Sequence, residues 1–465
     1  MDSWFNSSSS PPRPPKGTPG RNSGPLTAVV HTTAALQASI NAPTTVLRRN
    51  AHLASHQSLS ISPISNPASA SGSTVSTSSS SKATIPQKTK KSRYTSDSYT
   101  IRNGRRYIAG PKCSYPLPCD VAELNRQNLR TVLLTTVYGA PFCAPLVSSK
   151  PPKTVLDLGC GTGLWSSTCH DYFSRLGHPD VEFTGLDIVP VAPDLKEQGV
   201  NWRFVQHDLR RLQLPFPDES FDMVFLKDMS MAMPTGGSEF PIFEEMLRVL
   251  KSGGVIEIWE SDATIRALLP QPAIPPSTMD RALQQAITTG TYPLVPGTGF
   301  STAQNTYIQD YNAWVSKALE KRMITLLPCT VLSPMMLQEE KLADCGNRRL
   351  VVLLGEVRWE REGVGGRPSG SRRPSESSVG SGSKGKYRQT ERAALTDEQS
   401  ALRSTALLTF VQMIESLEPA LKEASQKGQD EWDRWWAGMM TNLFEQKGAM
   451  SGEGLEVGSW WARKV

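Results

Sequence analysis

Three glycines in alternate positions, Gly159, Gly161 and Gly163, follow an apolar run and an acid, Asp157, in VLDLGCGTGLW (Val155–Trp165). Without Cβ atoms, a turn from strand into helix can pass close to a ligand. The helix that follows offers free backbone N–H groups and the positive end of its dipole, a setting suited to an anionic group. Such a loop alone also fits a dinucleotide fold or a purely structural turn. Two later acids narrow the choice. Asp187 ends the next apolar run, in FTGLDIVP, where its carboxylate can accept from both hydroxyls of a ribose. Asp208 follows a third run, in FVQHDLRRL, where it can accept from an adenine amino group with the backbone N–H of Leu209 beside it. Asp187 would serve a nicotinamide dinucleotide equally well; a dinucleotide fold does not require Asp208.

The elements that must position these residues are legible as alternation. Apolar runs at Thr154–Leu158, Glu182–Leu186, Trp202–Gln206, Met223–Leu226 and Val255–Trp259 predict strands. Phe240–Lys251 has helical spacing, and Gly253–Gly254 leads into the fifth strand. Strands alternating with helices predict an α/β fold around a parallel sheet. Upstream, CDVAELNRQNLRTVLLT predicts a helix with Asp120 as N-cap and Val121, Leu124, Leu129, Val132 and Leu133 as its apolar face. Downstream, helices are expected at Tyr307–Met323, Asp397–Ala424 and Asp430–Phe444, and strands at Leu350–Val357 and near Trp460–Trp461.

In this order, the glycine loop, the two acids and the glycine pair look like the signature of class I S-adenosylmethionine-dependent methyltransferases. The resemblance spans about residues 154–260. It implies a Rossmann-like seven-stranded sheet whose final pair is antiparallel, S-adenosylmethionine as cofactor, and cofactor contacts at Asp157, Gly159, Gly161, Gly163, Asp187, Asp208 and Leu209. A narrower likeness lies outside that span. YPLPCDVAELNRQNLRTVLL (Tyr115–Leu134) and FDMVFLK (Phe221–Lys227) resemble segments of fungal LaeA-like methyltransferases, in which Arg is usual where Lys227 stands. Members of that group are implicated in regulating secondary metabolism, often from the nucleus, with uncertain acceptors. The implied function is methyl transfer to a small-molecule or protein acceptor; the alternative is a regulatory subunit that acts through protein partners.

Methyl transfer from a sulfonium needs in-line placement of a nucleophile and, for many O and N acceptors, a base. No decisive base stands out. His207, beside Asp208, and Lys227 with Asp228, after the fourth strand, are the weak catalytic candidates. The Met229–Met233 loop belongs at the carboxyl end of the sheet, where ligands sit; a Met-lined core turn is the plainer alternative. Glu260, Ser261 and Asp262 end the fifth strand and fit either a base or a solvated loop. Gly290–Asn305 reads as a lid or an ordinary connection. Trp432, Trp435 and Trp436 share one helical face, more often core than partner surface. No [DNS]PP[YFW] motif follows the fourth strand, which argues against amino methylation of bases. Cys119 and Cys329, each after a Pro, lie away from the place of a cytosine-C5 nucleophile.

Composition sets the remaining limits. The chain has 465 residues, 38% apolar, with a formal charge of +6. Residues 1–96 hold one acid, Asp2, against ten Lys or Arg, so the basic balance belongs to a Ser- and Pro-rich tail rather than a nucleic-acid face. The expected organisation is a disordered tail at 1–92, a methyltransferase domain at 93–360, a flexible Gly/Ser/Arg-rich insertion at 361–396 and a helical part with a last strand at 397–465. Lys88, Lys90, Lys91 and Arg93 resemble a short nuclear import signal, and Asp2 with the prolines from Pro11 to Pro19 weighs against a mitochondrial presequence. Seven cysteines without a CxxC pair suggest neither a zinc site nor a disulfide framework. No apolar run is long enough to span a membrane. Cytoplasm or nucleus is the expected location.

Overall fold

The structure, a computed structural model, describes residues 99–109, 115–211, 213–233, 241–271, 280–362 and 395–465. The expectations for the 1–92 tail, the import-like cluster and most of the 361–396 insertion lie outside these residues. Two short strands, β1 (Tyr99–Arg102) and β2 (Arg105–Ile108), form an antiparallel hairpin. Asn103 and Gly104 turn it at φ 50° and 75°, the pair of positive values that a tight two-residue hairpin needs.

Helix α1 (Val121–Tyr138) begins where Asp120 accepts from the backbone of Glu123 and ends at Gly139, φ 77°, whose N–H returns to Thr135 and Thr136. The cap agrees with the sequence, but the buried face does not. Val121 is 70% exposed, whereas Glu123, Arg126, Arg130 and Thr131 are buried with Leu133, Leu134 and Val137. Ion pairing is what lets the charged stripe turn inward: Arg126 donates two bonds to Glu123, 2.8 and 2.7 Å.

After the short α2 (Pro145–Ser149), the five expected strands form in order: β3 (Thr154–Leu158), β4 (Glu182–Asp187), β5 (Trp202–Gln206), β6 (Phe221–Lys227) and β7 (Leu250–Ser261). Helix α3 (Leu164–Arg175) lies between β3 and β4, and α4 (Pro241–Val249) between β6 and β7. The expected helix ending at Lys251 stops at Val249. Leu250 already pairs with Phe221, so sheet pairing overrides the helical spacing there. The rest of the chain adds β8 (Arg266–Leu268), α5 (Arg281–Thr289), β9 (Tyr292–Pro293), β10 (Phe300–Thr302), α6 (Thr306–Glu320), α7 (Pro328–Gln338), β11 (Leu342–Leu353), α8 (Arg358–Glu362), α9 (Asp397–Ser416), α10 (Glu418–Ser425), α11 (Gln429–Met440) and β12 (Glu453–Lys464). The single helix expected over 397–424 is two, divided at Leu417 just before Pro419.

Among the described residues, the sheet has ten strands. Its main path runs β5-β4-β3-β6-β7-β12-β11: the first five are parallel, and β12 is antiparallel to both of its neighbours. These seven strands are the expected Rossmann-like arrangement, completed by the chain's last strand slotting between β7 and β11. Short β8, β9 and β10 extend one end. Both faces of the central strands are covered, as continuous apolar runs require. Met223, Phe225, Val255 and Trp259 pack on one side with α1, α3, α6 and α9. Val224, Leu226, Ile256 and Ile258 pack on the other with α4 and α7. Trp432 and Trp435 are buried against Trp314, with ring centroids 6.1 and 4.7 Å away, so that stripe is core. Among the described residues, no helix is long and apolar enough to cross a membrane.

Candidate functional site

The carboxyl ends of β3, β4, β5 and β6 open onto one cleft of about 950 Å³, mouth included. Its floor is the glycine turn after β3. Gly159 takes φ 70°, a backbone strained for any residue with a Cβ, and an added Cβ would lie 2.5 Å from Met229 Sδ and force that side chain to shift. Gly161, φ 51°, would meet only Gln127 at 3.5 Å; the space above it is the cleft itself. Its N–H donates to Asp187 Oδ2 at 2.9 Å, and the Val189 N–H to Asp187 Oδ1 at 3.1 Å. Burial raises the Asp187 carboxyl against these backbone donors. Asp208 is held in a two-pronged bond by Arg210, 2.9 Å at each oxygen, and Arg210 keeps it below the usual carboxylate range in spite of partial burial.

A further part of the lining follows from β6. Lys227 and Asp228 line the cleft together with Met229, Ala232 and Met233. Asp228 accepts from Arg130 Nε at 2.8 Å and Lys227 Nζ at 2.9 Å. Burial alone would raise this carboxyl, but the two cations hold it well below the carboxylate range. It is therefore a fixed anion and a poor proton acceptor. Glu260, at the end of β7, accepts from the N–H groups of Met229 and Ser230 at 2.8 Å and from Ser230 Oγ at 2.9 Å, fixing the methionine loop. Burial, then the Asp228 charge, pushes it up to about 7.

Of the residues read as cofactor contacts, Gly159, Gly161, Asp187, Asp208 and Leu209 meet at this cleft. Asp157 and Gly163 are not among the residues lining it. Asp157 is buried below the loop, accepts from Ser166 Oγ at 2.7 Å and is raised by burial to about 7. Gly163, φ 74°, is the residue before α3 and its Cβ direction faces Leu195 and Trp202. Of the catalytic candidates, Lys227 and Asp228 line the cleft; His207 does not, its Nε2 lying 3.1 Å from the Arg211 carbonyl. Gly290–Asn305 forms β9 and β10 against β11 and β8, not a cover for the cleft. Ser261 and Asp262 are no solvated loop: Ser261 accepts from Arg130, and buried Asp262 accepts from the Cys329 N–H. Asp262, Cys329 and Glu456 bring potential metal-ligand atoms within 4.8 Å of one another, but Arg266 and Arg349 both pair with Glu456.

Sequence reasoning missed the roof. Tyr115, Pro118, Cys119, Leu124 and Gln127, on and before α1, complete the cleft, and Arg130 of α1 anchors Asp228. The signal was present: Glu123, Arg126, Gln127 and Arg130 recur at helical spacing. Acceptors at Asp187 and Asp208, an uncrowded turn at Gly161 and the N-terminus of α3 fit the groups of a nucleoside joined to an amino acid.

A methyltransferase-domain family model matches residues 155–254. The chain is 27% identical over 240 residues to the secondary metabolism regulator LAE1 of Cochliobolus heterostrophus, covering 48% of this chain and 74% of that protein. It is 30% identical over 166 residues to the secondary metabolism regulator laeA of Coprinopsis cinerea, covering 34% of this chain and 38% of that protein. It is 33% identical over 93 residues to the protein-methionine methyltransferase laeA of Emericella nidulans, covering 20% and 23%. Two of these three relatives are thus matched over less than half of their length.

Proposed function

We propose that this chain, whose residues 155–254 match a methyltransferase-domain model and which is similar to fungal secondary metabolism regulators, transfers a methyl group from S-adenosylmethionine to a small-molecule or protein acceptor at the β3–β6 cleft. One observation carries the reading: Asp187, Asp208 and the Gly159–Gly161 turn line a single cleft at the carboxyl ends of parallel strands. When bound, the cofactor supplies an electrophilic methyl group on a sulfonium. The chain's own residues bind and orient. The Asp187 carboxylate would accept from ribose hydroxyls, and Asp208, with the Leu209 N–H, would hold the adenine edge. The turn at Gly161 lets the backbone approach the ligand, and the N-terminus of α3 favours its carboxylate. Asp228, with Lys227, and the methionine loop held by Glu260 would line the acceptor side of the cleft. Asp228 itself, kept ionised by two cations, would serve by charge and placement rather than by proton removal.

The test is calorimetric titration of S-adenosylmethionine and S-adenosylhomocysteine into the full chain and two variants. Micromolar binding by the wild type is expected, weakened at least about tenfold in Asp187→Ala and Gly161→Arg. Folded wild-type protein that binds neither compound would overturn the reading and favour a regulator acting through partners.

A further inference from the structure

A second cavity, of about 400 Å³ with its mouth included, is not used by the methyl-transfer reading. Four of its walls are apolar or aromatic: Met231 from the methionine loop, Tyr311 from α6, and Phe410 and Met413 from α9. The rest of the lining is polar and includes Ser261, Asp262 and Thr409 beside two arginines. Arg126 and Arg130 of α1 both line the cavity, although as residues they are only 3% and 5% exposed.

Each of these guanidiniums is half engaged. Arg126 uses Nε and Nη2 on Glu123. Arg130 uses Nε on Asp228 and Nη2 on Ser261 Oγ. Neither Nη1 has a hydrogen-bond partner among the described residues. A guanidinium edge is shaped for a carboxylate. The charges point the same way: one carboxylate, Asp228, serves two cations, Arg130 and Lys227. Asp262 also lines the cavity, but it accepts from the Cys329 N–H and faces Arg266 at 3.6 Å.

We propose that this second cavity is a binding site for a small aryl carboxylate, its ring among Met231, Tyr311, Phe410 and Met413 and its carboxylate on the free edges of Arg126 and Arg130. The mix of apolar walls with a few convergent polar groups is what small-ligand pockets use. The site stands independently of the methyl-transfer reading, although Arg130 is shared: it lines this cavity and anchors Asp228 in the wall of the cleft.

Benzoate and its neutral counterpart benzamide, titrated calorimetrically into the full chain, test the proposal. Benzoate is expected to bind at least about tenfold tighter than benzamide. Met413→Trp fills the cavity from α9 and Ala263→Leu from the end of β7; each should weaken benzoate at least about tenfold. Affinity for S-adenosylhomocysteine, measured on the same samples, should stay within about twofold and reports that each variant is folded. No benzoate binding by the wild type, equal affinity for the two probes, or unchanged benzoate affinity in both folded variants would overturn the proposal. Loss of S-adenosylhomocysteine binding by the wild type would instead overturn the methyl-transfer reading, while the benzoate comparison still decides this site.

Discussion

At the scale of single residues, the carboxylates around β6 and β7 divide by their surroundings. Asp228 has two cations and stays charged; Glu260 has backbone donors and burial, and its carboxyl rises from 4.5 to about 7. Because the folded chain holds the Glu260 proton more tightly than the unfolded chain, the stability this gives is full below about pH 4.5. It is lost as pH rises through about 7. In Glu260→Gln, the fall in unfolding free energy between pH 5 and pH 8 should therefore shrink by about 2 kcal/mol. Denaturant unfolding at the two pH values measures it. Asp157 titrates over the same range but is common to both proteins, so the difference isolates Glu260. An unchanged pH dependence would mean that Glu260 is ionised when buried. The positions of Asp187 and Asp208 after their strands were legible because strand ends and chemistry coincide in the sequence. The pairing of Arg130 with Asp228, 98 residues apart, was not, since nothing local to either residue indicates the other.

At the scale of elements, α1 is the informative case. Its start and its cap follow from Asp120, but its apolar positions misidentify the inward face. The helix is enclosed between the cleft and α9, so the side that meets protein is the one whose charges can be paired there. Ser416 of α9 donates to Glu123 at 2.8 Å, tying the two helices together. Asp120→Ala removes both the cap and the Arg105 ion pair. It should cost about 1 kcal/mol in stability. Because Leu124 and Gln127 lie in the first turns of this helix and line the cleft, the same change should weaken S-adenosylhomocysteine several-fold. Thermal unfolding together with ligand titration checks both effects; lowered stability with unaltered affinity would separate α1 from the cofactor site. The division of α9 from α10 had its sign in Pro419, and the early end of α4 had none, because Leu250 joins the sheet by pairing with a distant strand.

At the scale of the whole molecule, the order of elements along the chain is not their order in the sheet. β12 is the final strand, yet it pairs with β7 through Val457–Arg463 and with β11 along most of its length. It also carries Ser459, whose hydroxyl donates to the buried Glu257 at 2.9 Å. Ending the chain before Glu453 should leave β7 and β11 with unpaired inner edges and abolish cooperative unfolding, read as loss of a sigmoidal denaturant transition. A truncated chain that still unfolds cooperatively would show that the strand is dispensable. By itself the sequence determined the parallel α/β core, the glycine turn and the acids at two strand ends, because each depends on local backbone geometry and short-range periodicity. Only the tertiary structure decided that the upstream helix roofs the cleft, that Arg126 and Arg130 turn inward onto a second cavity, and that the last strand closes the sheet. Those outcomes rest on burial and charge pairing between segments far apart in the chain, which no local pattern encodes.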